Sequence, residues 1–253
     1  MAFERHDKET GREMLAGLVA KFRENERYYK SSKYLEENCK AEFIDKMLIA
    51  LNWDVGNESG VSPRFREVVF EAQSKGSKGT VNHPDYALCI GGNPVMFVEA
   101  KPPSVKVLDA GSHALQLREY AFGEKSPLSV LTDFEEFAVY DTRKKPEKGD
   151  DAGVARIQYI TYDKYDEEFD YLWDTFSYDA VIHGSIDTYF ENDEGKYKQN
   201  DVNEEMLEAI EEWRVLLVKS VEAKGWKVTE QNINTAVQRL INRMVYIWRT
   251  KGY

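Results

Sequence analysis

Residues 84–101, PDYALCIGGNPVMFVEAK, decide the fold of this chain. Two apolar runs in this stretch flank the turn-forming sequence Gly91-Gly92-Asn93-Pro94, a pattern that predicts a β-hairpin. Pro102-Pro103 follows directly and should end the second strand, because proline donates no hydrogen bond to a sheet. The hairpin is the most clearly specified element of the sequence, and the other elements are placed outward from it.

Three charged residues of the hairpin form the strongest candidate for a catalytic site. Glu99 and Lys101 stand two residues apart, so they should project from one face of the second strand, and Asp85 opens the first strand. Buried carboxylates are unfavourable unless they are paired or bound to a metal. A divalent cation such as Mg²⁺ relieves the repulsion between two of them. The pattern predicts a cation held by Asp85 and Glu99, with Lys101 beside it to polarise water.

Regular elements on both sides of the hairpin give an α/β pattern. Apolar spacing predicts helices over about 11–29 and 33–51. Further strands are predicted over about 66–73, 127–131, 136–141 and 156–162. A helix over about 110–122 lies between the second hairpin strand and the next strand, which predicts parallel strands joined by a crossover helix. Beyond these elements the sequence is mainly helical, with long helices predicted over 204–224 and 230–249.

Composition and charge restrict the class of protein. The chain has 253 residues, 34 Lys and Arg against 45 Asp and Glu, and a formal charge of −11. Hydrophobic residues make up 42% of it, which excludes a disordered chain, and no apolar run is long enough to span a membrane. Cys39 and Cys89 lack metal-ligand spacing, which favours a reducing cytoplasm. The net negative charge argues against a protein that wraps nucleic acid by bulk electrostatic attraction, but it is compatible with a local nucleic-acid site.

Pro84-Asp85, a hairpin-length gap and then Glu99-Ala100-Lys101 resemble the signature of the PD-(D/E)XK nuclease superfamily. In type I restriction endonuclease subunits and the fused type IIG restriction-modification enzymes, a Gln-x-x-x-Tyr motif lies on the helix after the lysine. Gln116 and Tyr120 match that motif, and their spacing of four residues places them on one helical face. The resemblance therefore implies that Gln116 and Tyr120 support the site or lie near DNA.

Three further stretches resemble the type IIG family, so the likeness spans roughly residues 33–250. Residues 36–53 are similar to its opening helix, residues 176–187 to the segment before its helical connector, and residues 237–243 to the start of that connector. The connector leads to an adenine methyltransferase in the family, whereas this sequence stops after Tyr253. We therefore expect a nuclease domain over 1–165 and a mainly helical connector over 166–253, as in an excised nuclease module.

The resemblance implies a restriction endonuclease-like α/β fold, with a mixed sheet flanked by helices and a C-terminal helical segment. It implies a cytoplasmic, Mg²⁺-dependent endodeoxyribonuclease in which Mn²⁺ can substitute. Double-stranded DNA is the expected partner, and methyltransferase and target-recognition domains are expected in the full-length protein. Isolated basic residues could line the DNA approach: Lys75, Lys78, Lys106, Arg118 and Lys125.

Superfamily members carry a further acidic residue on the opening helix, and three glutamates qualify. Glu36 and Glu37 precede the apolar pair Phe43-Ile44 by two helical turns, which predicts that they lie on its buried stripe, whereas Glu42 lies off it. Glu36 is the preferred residue. An equally good interpretation is that Glu36 is simply a glutamate in the first turn of the helix, where the helix dipole favours a negative charge.

Two rival functions remain open. The chain could be the N-terminal nuclease part of a type I restriction motor subunit, which the connector-like stretch 237–243 disfavours. It could also be a non-catalytic DNA-binding or docking module of the same fold, which the intact set of Asp85, Glu99 and Lys101 disfavours.

Overall fold

A computed structural model describes residues 3–70 and 84–190. Contacts between residues divide the chain into two compact units, Met1–Tyr189 and Phe190–Tyr253. The end of the strand predicted over 66–73 and the long helices predicted over 204–224 and 230–249 lie outside the described residues. No helix within the described ranges is long and apolar enough to cross a membrane.

Helices flank the sheet on both of its faces. The α-helical segments of the described residues are α1 (Lys8–Glu24), α2 (Glu26–Tyr29), α3 (Glu36–Cys39), α4 (Asp45–Ala50), α5 (Gly111–Gly123), α6 (Phe169–Phe176), α7 (Tyr178–Ile182) and α8 (Ser185–Thr188). Short 3₁₀ turns lie at Pro63–Phe65, Val107–Asp109 and Tyr162–Lys164. Helix α1 begins where the Asp7 side chain accepts a hydrogen bond from the Thr10 amide at 2.8 Å, the usual role of an N-cap aspartate.

The predicted helix over 33–51 is interrupted by a π-helical segment. Helix α3 continues through Lys40–Ile44, which is π-helical, into α4, and we call these three pieces together the opening helix. A π-helical segment changes the angular phase of the residues on either side of it. The two-turn argument that put Glu37 on the buried stripe is therefore wrong, and its side chain is 80% exposed.

The sheet is mixed and has six strands in the described part of the chain. They are β1 (Val68–Phe70), β2 (Tyr86–Ile90), β3 (Asn93–Ala100), β4 (Leu128–Thr132), β5 (Glu136–Asp141) and β6 (Arg156–Thr161). The strands lie in sequence order, and every neighbouring pair is antiparallel except β3 and β4. Helix α5 makes the crossover between these two parallel strands, as predicted. The mixed sheet with flanking helices confirms the expected α/β class and is consistent with a restriction endonuclease-like fold.

The β2–β3 hairpin turns through Gly91 and Gly92, which both have positive φ, at 59° and 85°. Two-residue hairpin loops favour such angles because their twist matches that of the strands. The register shifts by one residue between Leu88 and Cys89, so that Tyr86 pairs with Val98. The next position of the register sets Asp85 opposite Glu99.

The two faces of β3 pack against different helices. Phe97 belongs to a buried cluster with Ala114 and Leu117 of α5. Met96 and Val98 point to the opposite face, where they meet the apolar side of the opening helix. Because both faces are covered, the strand is buried along its C-terminal half, as its continuous apolar sequence predicted.

Helices α6 to α8 belong to the same compact unit as the sheet. This unit extends beyond the domain boundary predicted at residue 165. The Trp53 indole donates a 2.8 Å hydrogen bond to the Phe176 carbonyl, and the Tyr178 amide donates to the Leu51 carbonyl at 2.9 Å. A Cβ atom on Gly11 would lie 2.5 Å from the Trp173 ring, so α1 and α6 are in close contact. Residues 166–189 therefore pack as part of this fold, while the functional division into nuclease domain and connector stays a prediction.

Substitution at the hairpin turn tests whether this turn stabilises the fold. A Cβ atom on Gly92 would lie 2.3 Å from the backbone oxygen of Arg64, whereas one on Gly91 would meet no atom within 4 Å. Gly92→Ala should lower the free energy of unfolding by about 3 kcal/mol, because backbone strain and a steric clash act together. Gly91→Ala, the matched control, should lower it by about 1 kcal/mol. Urea denaturation measures both, and equal losses would contradict the close approach of the Arg64 backbone to Gly92.

Candidate active site

Glu99 and Lys101 lie side by side at the C-terminal end of β3. The Lys101 ammonium donates to Glu99 Oε1 at 2.8 Å and to the Ala100 carbonyl at 2.6 Å. The two side chains are only 9% and 10% exposed. The Lys101 amide also donates to the Thr132 carbonyl at 2.9 Å. This bond extends the hydrogen bonding between the parallel strands β3 and β4 by one residue beyond β3. The prediction that both side chains share one face is confirmed.

Asp85 joins this pair across the hairpin. It directly precedes β2, and its Oδ2 accepts a hydrogen bond from the Ala100 amide at 2.7 Å. Side chains directly opposite each other on neighbouring strands project from the same face. The hairpin register therefore brings the two halves of the sequence motif, 14 positions apart along the chain, to one place.

Of the three candidate glutamates on the opening helix, the structure brings Glu36 to the cluster. Its carboxylate lies 3.5 Å from the Lys101 ammonium. Glu37 is exposed to solvent, and Glu42 pairs with Lys21 at 2.7 Å, where both side chains are 42% exposed. The position of Glu36 agrees with the preferred assignment, whose catalytic role remains a prediction.

Lys40 is a member of the cluster that the sequence analysis missed. Its ammonium lies 2.5 Å from Asp85 Oδ1 and 3.1 Å from Glu36 Oε1. The spacing of four residues between Glu36 and Lys40 is a signal that could have found the helical pair, since such residues are neighbours on a helix. The contact with Asp85 has no counterpart in the sequence pattern, because it depends on how the opening helix packs against the sheet.

Burial and charge act against each other in the cluster. Burial raises the pKa of the Glu99 carboxyl above its ordinary value, and the neighbouring Lys101 charge only partly offsets this effect. Burial acts to lower the pKa of Lys101, but the charge of Glu99 and its hydrogen bond, with Glu36 and Asp85 beyond, raise it overall. For Lys40 burial again acts to lower the pKa, and the contact with Asp85 outweighs it. Both lysines are therefore cationic at neutral pH.

Helix α5 carries the predicted supporting residues Gln116 and Tyr120. The Tyr120 ring packs edge-on against Phe97 with ring centroids 4.8 Å apart, and Phe97 precedes Glu99 by two residues on the same strand face. Burial raises the pKa of Tyr120 to about 12, so its hydroxyl stays protonated. Gln116 is half-buried on the same helix. The roles of both residues remain predictions.

His113, on the same helix, is a second residue that the sequence analysis left out. Burial lowers its pKa, with a further lowering by the Lys101 charge and an opposing effect of Glu36. The spacing of His113, three residues before Gln116, is the signal that could have placed it on that face of α5.

One of the basic residues suggested for the DNA approach was assigned wrongly. The Arg118 side chain is only 1% exposed and pairs with Asp150 at 2.8 Å, so it stabilises the fold and cannot line an open approach. Lys106 and Lys125 are exposed. Lys75 and Lys78 lie outside the described residues.

The donor set suits a hard divalent cation. Mg²⁺ is commonly held by one or two carboxylates and keeps several of its water ligands, and Asp85 and Glu99 offer two carboxylates on one face. Within residues 3–70 and 84–190, no group of three or more His, Cys, Asp or Glu side chains is arranged to hold a metal ion. Two carboxylates on one face fit a partly hydrated Mg²⁺ or Mn²⁺, whose role here remains a prediction.

Comparison with known proteins relates the chain to restriction enzymes. Residues 65–148 match the family described as the type I restriction enzyme R protein N terminus. Over 237 residues the chain is 30% identical to the type II restriction enzyme and methyltransferase RM.Eco57I of Escherichia coli. The chain is similar to the nuclease-like region of restriction enzymes. The alignment covers 93% of this chain and 24% of RM.Eco57I, so the chain spans about a quarter of that relative's length. No solved structure matches the chain.

A double-mutant cycle tests the Glu99–Lys101 pair. Lys101→Met should lower the free energy of unfolding by about 3 kcal/mol, because it leaves a buried carboxylate without its closest cation. Adding Glu99→Gln to that variant should recover most of the loss, since the unpaired charge is then gone. Urea denaturation at neutral pH measures all four proteins. If Lys101→Met were as stable as the unsubstituted chain, the pair would contribute nothing to the fold.

Proposed function

We propose that this chain is the nuclease module of a type IIG-like restriction-modification enzyme and that it hydrolyses DNA phosphodiesters with Mg²⁺, or Mn²⁺ in its place. The main support for the proposal is that Asp85, Glu99 and Lys101 lie together on one face of the sheet, close to Glu36. The matches to restriction enzymes support the class of reaction. The site chemistry supports the use of a divalent cation.

Each residue of the site has a role that follows from its position. Asp85 and Glu99 would hold the cation, and Glu36 would place a further carboxylate beside Lys101. When bound, Mg²⁺ supplies positive charge that offsets the charge growing on the phosphate oxygens. Lys101 keeps its ammonium beside Glu99 and would orient and polarise the attacking water. Tyr120 and Gln116 would support the strand face that carries Glu99.

Double-stranded DNA is the proposed substrate, and the proposed location is the cytoplasm. The name of RM.Eco57I describes a restriction enzyme and a methyltransferase in one protein. We infer that the full-length protein containing this chain also carries methyltransferase and target-recognition domains. A formal charge of −11 opposes binding to phosphates. The module should therefore bind DNA weakly and depend on those other domains for its sequence preference.

The N-terminal part of a type I restriction motor subunit is the second candidate function. The family match over residues 65–148 favours it, whereas the relative that aligns with 93% of this chain is a type II enzyme. Both candidates use the same nuclease chemistry. A non-catalytic docking module of the same fold is the third possibility, and the cleavage experiment below separates it from the other two.

Metal binding and cleavage test the proposed function. The full chain should bind Mn²⁺ in calorimetry and nick plasmid DNA when Mg²⁺ is added, and chelation should abolish nicking. Asp85→Asn removes one of the two proposed carboxylate ligands. It should therefore weaken Mn²⁺ binding and reduce nicking by more than ~10²-fold, since even residues outside the ligand shell typically contribute 10- to 100-fold. Asp109→Asn, at an exposed aspartate near α5, is the matched control and should behave like the unsubstituted chain. Failure of the unsubstituted chain to bind Mn²⁺ would refute the proposal.

Two substitutions on the opening helix test the choice of Glu36. Glu36→Gln should reduce plasmid nicking at least ~10-fold, because it removes a carboxylate beside Lys101. Glu42→Gln should change nicking by less than about twofold, because the exposed Glu42–Lys21 pair contributes little. Nicking rates at saturating Mg²⁺ measure both variants. A larger loss for Glu42→Gln would move the role to the other side of the helix.

A further inference from the structure

Lys40 makes more ion pairs with the site than its place in the proposed reaction explains. It is the first residue of the π-helical segment, and its side chain is only 16% exposed. Its ammonium lies 2.5 Å from Asp85, 3.1 Å from Glu36 and 3.2 Å from Glu37. Lysine is a flexible cation with a four-carbon stem, so it can change partners without backbone movement.

Both carboxylate oxygens of Asp85 already have partners. Oδ2 accepts from the Ala100 amide at 2.7 Å, and Oδ1 lies 2.5 Å from the Lys40 ammonium. A divalent cation bound at Oδ1 would lie within a few ångströms of that ammonium. Like charges this close repel strongly in a partly buried site, because screening by water is reduced there. A bound cation and the present Lys40 contact therefore compete for Asp85.

The net charge of the cluster also favours the loss of one ammonium when a divalent cation binds. Glu36, Asp85 and Glu99 supply three carboxylates, and Lys40 and Lys101 supply two ammoniums. One negative charge is left over, so a divalent cation added to this set would turn the balance positive. Removal of one ammonium from the set would restore neutrality. Lys101 is held by the carbonyl of Ala100 as well as by Glu99 and is only 10% exposed, whereas Lys40 is 16% exposed and also contacts the solvent-exposed Glu37, which favours Lys40 as the lysine that moves.

Lys40 has an alternative partner outside the site. Glu37 lies three residues before it on the opening helix, and the Glu37 side chain is 80% exposed. The ammonium already lies 3.2 Å from that carboxylate, so a small rotation of the side chain would keep one ion pair while the contact with Asp85 is lost. Such a move would take the positive charge from the buried end of the cluster to its solvated end.

We propose that Lys40 is a positioning residue that holds Asp85 in the metal-free protein and leaves Asp85 when a divalent cation binds. This inference rests on the proposed function, because it needs the cation that Asp85 and Glu99 are proposed to hold. Metal binding is then an exchange of cations at Asp85. The affinity for the metal is limited by the ammonium that must be displaced.

A purely structural role for Lys40 makes a different prediction from cation exchange. If Lys40 only stabilises the fold, its removal should lower stability and leave metal affinity unchanged. If Lys40 orients Asp85 for the metal, its removal should weaken binding. Exchange alone predicts that removal of the charge destabilises the metal-free protein and strengthens metal binding.

Calorimetry with Mn²⁺ on the full chain without DNA, together with melting temperatures with and without Mn²⁺, tests the exchange. Lys40→Met keeps the length of the side chain and removes its charge. It should bind Mn²⁺ at least ~10-fold more tightly, melt at a lower temperature without metal, and recover its melting temperature when Mn²⁺ is added. Lys40→Arg keeps the charge and can hold a carboxylate with two parallel hydrogen bonds, so its Mn²⁺ affinity should be equal to or weaker than that of the unsubstituted chain. Lys46→Met, at an exposed lysine of the same helix, should change neither property.

The possible outcomes separate this inference from the proposed function. If the unsubstituted chain binds Mn²⁺ and Lys40→Met binds it no more tightly, the exchange is overturned and the metal site stands. If Lys40→Met fails to fold, Lys40→Arg decides, since tighter Mn²⁺ binding by that variant also overturns the exchange. If the unsubstituted chain binds no Mn²⁺, the proposed function fails, and the inference that rests on it fails as well.

Discussion

The register of the β2–β3 hairpin is the constraint on which the candidate site depends. Side chains alternate between the two faces of a strand, so a slip of one residue would move a carboxylate to the opposite face. The turn at Gly91 and Gly92 starts the hairpin, and the register shift between Leu88 and Cys89 pairs Tyr86 with Val98 and so sets Asp85 opposite Glu99. The hydrogen bond from the Ala100 amide to Asp85 then fixes the aspartate at the strand end. The rest of the fold holds this hairpin in place from both faces.

The opening helix supplies the second half of the site through its irregularity. Apolar residues within and after the π-helical segment pack on the sheet, while Glu36 and Lys40 reach the charged end of the hairpin. Segments of this kind are frequent at functional sites because they change the direction in which side chains project without breaking the helix. Here the interruption lets one helix present a buried apolar stripe and a pair of charges to different parts of the same sheet.

The cluster brings carboxylates and ammoniums together at a partly buried strand end, and this arrangement links stability to proposed function. Isolated charges there would be strongly unfavourable, and each side chain reduces the penalty of the others. In the proposed function the same carboxylates would bind the cation once Lys40 has left Asp85. The similarity to RM.Eco57I and to the type I family agrees with a nuclease use of this arrangement, since a restriction enzyme must cleave a highly charged backbone.

The sequence by itself determined the hairpin, the shared face of Glu99 and Lys101, and the crossover helix between β3 and β4. These features follow from local signals, namely glycine at a tight turn, the two-residue period of a strand and the apolar period of a helix. The tertiary structure alone decided which glutamate reaches the site, because the π-helical segment alters the phase of the opening helix. It also paired Lys40 with Asp85 and buried Arg118 against Asp150. Those contacts join residues distant along the chain, so no local spacing in the sequence reveals them.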